Sequence, residues 1–221
     1  MTLLALAPLA INVLSPRSLI ESLGLIGVFA IIFAETGLLI GVILPGDSLL
    51  FLAGIGASSA AVKVLNVQLS LAALLIGTPI CAIAGAQLGH LIGRRAGPKL
   101  FQRADSRIFK ARYVERAEVA FTRFGPAKAV VLARFIPVVR TFLNPVAGLV
   151  GMPARTFLVW NVVGGLVWTV GVILLGYWLG GRIPPGKIDR YLLPGVAIVI
   201  VVSLLPLVLE AWRARREHAR E

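Results

Sequence analysis

The chain of 221 residues is 58% hydrophobic and only 14% charged, and its mean hydropathy is +0.91, whereas soluble domains run about 45–50% apolar and about 25% charged. A membrane span takes about 20 mostly apolar residues, so this length admits at most about six or seven spans and excludes a further soluble domain of ordinary size. The formal charge of +12 would point to nucleic acid in a soluble protein, but here the basic residues lie in loops beside apolar runs, where they orient a chain in a membrane and attract anionic lipid.

The chain reads as a single all-α integral membrane domain, with several transmembrane helices and two re-entrant, broken-helix segments. MTLLALAPLAINVLSP is apolar but has no Lys or Arg ahead of the apolar stretch, so it predicts a short first helix or one lying in the interface rather than a cleaved signal. Residues 18–60 form the first broken segment. Ser18–Leu44 is long and apolar, Pro45-Gly46 breaks it, and Ser48–Gly56 resumes it. Either a span followed by a half-helix or a hairpin fits. Leu69–Gly93 predicts a transmembrane helix, and its one cysteine, Cys81, is the only one in the chain, which excludes disulfides and cysteine-based metal sites. Gly85, Gly89, Gly93 and Gly97 recur every four residues, a spacing that lets helix backbones approach closely. They predict packing, within one chain or in a homo-oligomer.

Residues 99–124 differ in kind. Leu100, Ala104 and Ile108, then Val114, Ala117, Phe121 and Phe124, follow a helical period among Arg, Lys and Glu. This predicts a basic amphipathic helix on the cytoplasmic membrane surface, or one packed on another cytoplasmic piece. Ala129–Met152 is apolar but interrupted by Pro137, Pro145, Gly148 and Gly151. Phe157–Gly181 and Tyr191–Leu209 predict two more spans, joined by RIPPGKID. Ten Lys and Arg between Arg94 and Lys128 face only Asp105, Glu115 and Glu118, and Arg213, Arg215, Arg216 and Arg220 follow the last apolar run. The positive-inside rule puts both regions, and the C-terminus, in the cytoplasm. That parity requires 129–152 to enter and leave from one side, and irregular backbone at membrane depth must be surrounded by protein or a water-filled cavity. Trp160, Trp168, Tyr177, Trp178 and Trp212 lie toward the ends of apolar runs and read as interface anchors.

Four ionisable residues stand inside the broken segments, where each costs about 2.5–3.5 kcal/mol to insert. Glu35 and Asp47 belong to FAETGLLIGVILPGDSLL, and Arg134 and Arg140 to ARFIPVVRTFLNPVAG. If the segments meet, their charges cancel. Structural roles are open to several of them: Asp47 follows Pro-Gly and suits a helix N-cap, and Glu35 suits a buried ion pair. Two arginines flanking Pro137 suit phosphate binding, because guanidinium groups match phosphate oxygens in bidentate fashion. Helix breaks at Pro45, Gly46, Pro137 and Pro145 would aim half-helix N-termini at an anion.

ETGLLIGVILPGDSLLFLAG and ARFIPVVRTFLNPVAG resemble the two signature stretches of the DedA family, bacterial inner-membrane proteins related to lipid scramblases of the VTT-domain type. GAQLGHLIGRRAG and PKLFQRADSRIFKARYVERAE are similar to the family's intervening region, so the resemblance spans roughly residues 20–180. It implies a bacterial inner-membrane transporter or flippase that recycles undecaprenyl phosphate, or moves a phospholipid, using the proton gradient. On that implication Arg134 and Arg140 bind the substrate phosphate, while Glu35 and Asp47 pair with them or carry the coupling proton. No cofactor, metal or nucleic acid is implied. The chain departs from the family pattern at Gln87 and His90, where an acid and a tyrosine are usual, and at Asn144, often proline. His90 suits either a substitute titrating group or a plain polar position. Two other classes stand against the transporter: an assembly factor with indirect effects on the envelope, and a lipid-diphosphate phosphatase. The latter would need a nucleophile or metal set in a chain whose only histidines are His90 and His218.

Overall fold

A computed structural model describes residues 16–38, 46–59, 65, 67–101, 121, 125, 128–134 and 137–182. Pro45, most of 99–124, the span expected over 191–209, Trp212 and both chain ends lie outside the described residues. Five helices of eleven residues or more run through the described part, which contains no strand. They are α1 (Pro16–Gly37), α2 (Gly46–Gly56), α3 (Leu71–Phe101), α4 (Pro137–Leu149) and α5 (Ala154–Gly180). Three of them, α1, α3 over Leu71–Ala96, and α5, are long and apolar enough to cross a membrane. Their outer faces carry large aliphatic side chains that water would not tolerate in such number, with Ile26 77% exposed and Ile76 64%. Lipid is the solvent that suits them. The protein is an all-α membrane protein.

Pro16 opens α1, a position where its missing N–H costs nothing. Gly24 interrupts the helix with φ 55°, a conformation that a side chain disfavours, so α1 bends there. Helices α2 and α4, at 11 and 13 residues, are only about 17 and 20 Å long, well short of a bilayer core of about 30 Å. The chain is helical at 128–133, turns at Arg134 and resumes as α4 at Pro137. Gly46 and Pro137 thus begin helices. Pro145 does not act as the expected break: it lies inside α4, which continues to Leu149. The backbone of Gly93 on α3 packs directly against Pro145, and such packing lets a membrane helix carry a proline without ending. Helix α3 also runs beyond the apolar stretch, through Lys99 to Phe101.

Helix α3 is the common support of the bundle, packing against α1, α4 and α5. Its glycine face does what the spacing foretold, and it does so within the chain. Gly85 meets Thr36 and the Phe33 carbonyl of α1, Gly89 meets the Gly37 carbonyl, and Gly93 meets Pro145 of α4. Helix α2 lies on α5 in the same way, with Gly54 against the Ile173 carbonyl and Gly176 against that of Phe51. Two apolar clusters result. One joins α1, α2, the start of α3 and the middle of α5 through Ile32, Phe51, Leu74 and Trp168. The other joins α3, α4 and the start of α5 through Ala86, Val146 and Phe157. A side chain at Gly176 would have to displace backbone, so Gly176→Leu is expected to cost about 1–3 kcal/mol in thermal unfolding in detergent. Gly171 on the same helix faces open space, and Gly171→Leu is expected to stay within about 0.5 kcal/mol.

Candidate functional site

The helix ends bring three of the four expected charges into one cluster. Glu35 stands in the last turn of α1, Asp47 in the first turn of α2, and Arg140 in the first turn of α4. Arg140 Nη2 donates to Glu35 Oε1, and its Nη1 donates to Asp47 Oδ1 at 2.8 Å. Both Glu35 and Arg140 are buried, while Asp47 is partly so. Trp168 of α5 completes the cluster. Its Nε1 donates to the same Asp47 oxygen at 2.8 Å, and its ring centroid lies 4.4 Å from the Arg140 guanidinium carbon, a cation–π geometry.

Helix dipoles explain why these charges need one another. A carboxylate near a helix C-terminus and a cation near a helix N-terminus both oppose the local dipole, and Glu35 and Arg140 stand in those positions. Asp47, at the N-terminus of α2, is favoured by it. Its carboxylate also serves as an acceptor for Arg140 and Trp168, which goes beyond the helix-capping role its sequence position suggested. Gly46 touches the Glu35 carboxylate, so any side chain there would displace it. Among the described residues, two buried atoms of the cluster have no hydrogen-bond partner: Glu35 Oε2, an acceptor, and Arg140 Nε, a donor.

Arg134 is placed differently. It is buried on the turn before α4 and pairs with neither acid; its Nη2 donates to Asn161 Oδ1 on α5. Asn161 is fully buried, and its own Nδ2 donates to the Ile83 carbonyl of α3 at 3.0 Å. The guanidinium is still near enough to feel the charges of Arg140 and Glu35. Gly164 and Gly165 face it from the next turn of α5.

The positions that depart from the family pattern serve packing. His90 is buried, its Nε2 lies 2.9 Å from the Met152 carbonyl oxygen, and its ring stacks on Phe157 at 4.6 Å. Gln87 Nε2 donates to the Ala154 carbonyl at 3.4 Å. Asn144 Nδ2 donates to the carbonyl of Thr36, the residue after Glu35, at 2.9 Å. Among the described residues no group of three His, Cys, Asp or Glu side chains gathers to hold a metal.

Sequence reasoning missed two residues. Trp168 is fully buried in the charge cluster and is no interface anchor, whereas Trp178 and Tyr177 are exposed. Asn161 was passed over. The signal for both was present: Asn161, Gly164-Gly165 and Trp168 lie at intervals of three, four and seven, which puts a lone amide, two small residues and an indole on one face of α5.

Comparison with known proteins agrees with these motifs. A VTT domain matches residues 30–178. Protein DedA of Escherichia coli (strain K12) is 41% identical over 192 residues, covering 87% of this chain and 84% of that one. An uncharacterised membrane protein of Mycobacterium leprae is 37% identical over 207 residues, covering 94% of this chain and 88% of that one. No solved structure matches the chain. The fold and the match define a VTT-domain membrane protein. The chain belongs to the DedA family.

Removing Arg140 strands two carboxylates in an apolar site. Arg140→Leu is therefore expected to cost about 3–5 kcal/mol in thermal unfolding in detergent. Adding Glu35→Gln and Asp47→Asn to that variant is expected to restore much of the loss. Trp168→Phe keeps an aromatic ring but loses the indole N–H bond to a charged group, at a cost of at least about 1.5–3 kcal/mol.

Proposed function

We propose that the chain is a transporter that moves a lipid bearing a phosphate headgroup across the bacterial cytoplasmic membrane. Undecaprenyl phosphate is the first candidate substrate and an anionic phospholipid the second. In this reading α2 and α4 are the helical arms of two re-entrant segments, and the C-terminus faces the cytoplasm, as the loop charges favour.

The observation that carries the reading is Arg140 held between two carboxylates from different helices. A guanidinium so placed can be won by a phosphate only when an acid lets go. A proton on Glu35 removes one charged hydrogen bond to Arg140, and Oε2, which has no partner among the described residues, is a ready acceptor for it. Arg140 Nε, also without a partner among those residues, is a ready donor to a phosphate oxygen. With both acids ionised the four formal charges cancel. One proton on Glu35 leaves a single positive charge, which one phosphate anion balances, so the arrangement favours coupling a proton to an anionic lipid. Chemistry on the phosphate is not proposed: the site offers carboxylates, guanidinium groups and an indole, and His90 is occupied by the Met152 carbonyl.

A second reading is favoured by the same clamp, which joins α1, α2 and α4 and would serve an assembly factor needing only its shape. The swap of Glu35→Arg with Arg140→Glu, made together with Asp47→Asn so that no second carboxylate opposes the exchanged pair, separates the two, because it preserves a charge pair and destroys a phosphate site.

The test is reconstitution in liposomes carrying undecaprenyl phosphate or a labelled phospholipid, following leaflet exposure and free phosphate together, at equal and unequal pH. Wild type is expected to move one of the lipids with no phosphate released, faster with a pH difference. Arg140→Ala, folded and inserted, is expected to be at least about tenfold slower, as loss of a charge-assisted pair implies. Arg140→Ala at the wild-type rate, or activity restored by the charge swap, ends the transporter reading. Release of phosphate would make the protein an enzyme.

A further inference from the structure

Trp168 sits in the charge cluster without carrying a charge. A buried indole N–H needs some acceptor, and a backbone carbonyl would serve. Trp168, 1% exposed, instead donates to Asp47 Oδ1 at 2.8 Å, the oxygen that already accepts Arg140 Nη1 at 2.8 Å. Its ring centroid lies 4.4 Å from the Arg140 guanidinium carbon. Indole, carboxylate and guanidinium therefore close a ring of three contacts, each orienting the other two. Glu35 stands outside that ring. It holds Arg140 through Oε1 alone, and its Oε2 has no partner among the described residues. Arg134, the remaining charge nearby, bonds to Asn161 instead. The backbone draws the same line. Asp47 and Trp168 stand about two helical turns ahead of Gly54 and Gly176, where α2 and α5 touch backbone to backbone, so neither shifts without the other. Glu35 rides on α1, which bends at Gly24, a glycine with open space beside it among the described residues.

We infer that Trp168 is a positioning residue that fixes Asp47 and Arg140 as one unit, making Asp47 the standing tether of the arginine and Glu35 the arm that lets go. The inference deepens the transporter reading and rests on it for the use made of the released arm. When Glu35 withdraws, Arg140 loses one hydrogen bond and keeps two contacts, both on the packed pair of α2 and α5. Its guanidinium stays in place, with Nη2 as the group set free. Without the indole N–H, Asp47 turns with the arginine, and the guanidinium loses its fixed position as soon as Glu35 leaves.

Removing the N–H alone tests this. Trp168→benzothienylalanine keeps a bicyclic aromatic ring over Arg140 and puts sulfur where Nε1 stands. In liposomes carrying undecaprenyl phosphate or a labelled phospholipid, this variant is expected to move lipid at least about tenfold more slowly than wild type, as loss of a hydrogen bond to a charged group implies. A tryptophan that only fills space would not produce that loss. The division between the acids has its own signature in detergent. Ultraviolet resonance Raman spectra, taken as the difference from the same protein with Trp168→Phe, isolate the hydrogen-bond marker of the Trp168 indole. The marker is expected to stay in Glu35→Gln and to shift toward a weaker bond in Asp47→Asn. A shift in Glu35→Gln as large as that in Asp47→Asn overturns the inference, and if Asp47→Asn fails to fold, a shift in Glu35→Gln alone overturns it. Lipid movement at the wild-type rate in folded Trp168→benzothienylalanine also overturns it, and leaves the transporter standing. If wild type moves neither lipid, the transporter reading falls, and the Raman markers still decide whether Asp47 is the tether.

Discussion

In hydrocarbon a full charge is costly unless it is paired, and Arg140 is where three helices of this chain meet that cost. Glu35 comes from the end of α1, Asp47 from the start of α2, and Arg140 from the start of α4. None would be well placed alone. Glu35 and Arg140 each stand at the helix end whose dipole repels them, so their pairing offsets both the loss of water and the local field. Because the contact runs through side chains at helix ends, it also fixes where those ends lie. Gly46 follows from that constraint, since the Glu35 carboxylate occupies the space a side chain would need.

Close packing around the cluster makes the geometry possible. Helix α3 brings α1 and α4 together across Gly85, Gly89 and Gly93, and α5 brings α2 in across Gly54 and Gly176. Small residues matter more in a membrane than in water, because lipid supplies no hydrophobic force between helices and dispersion at short range must hold them. A bundle packed that closely can hold two cations in different environments a few residues apart on one segment, one beside carboxylates and one beside an amide.

What was legible in the sequence follows from what is expensive. Charged residues inside apolar runs stand out because each costs several kcal/mol, so Glu35, Asp47, Arg134 and Arg140 announced themselves, as did three long apolar helices and the glycine face of α3. Which charge pairs with which was not legible, because it depends on the mutual placement of α1, α2 and α4. That placement let Arg140 take both acids and left Arg134 to Asn161. Trp168 was misread because an aromatic near the end of an apolar run is ordinarily an interface anchor, and only its burial reveals the hydrogen bond to Asp47. Pro145 was misread for a related reason. Its local preference is to end a helix, and packing against Gly93 overrode it.

The departures from the family pattern support the same centre from a distance. Asn144 anchors α4 to the Thr36 carbonyl, one residue along from Glu35 and one helical turn along from Arg140, so it braces the two helices whose charges meet. A proline could not donate that bond. His90 ties α3 to the Met152 carbonyl and stacks on Phe157, which sets the start of α5 relative to α3 and so the height at which Asn161 and Trp168 stand. With His90 engaged in packing, the partnerless oxygen of Glu35 is the atom of the charge cluster that remains to receive the proposed proton. The proposed proton coupling then needs no histidine. It would need an acid whose hold on Arg140 weakens when it is protonated, and Glu35 suits that part, because it is the acid that the local field already opposes.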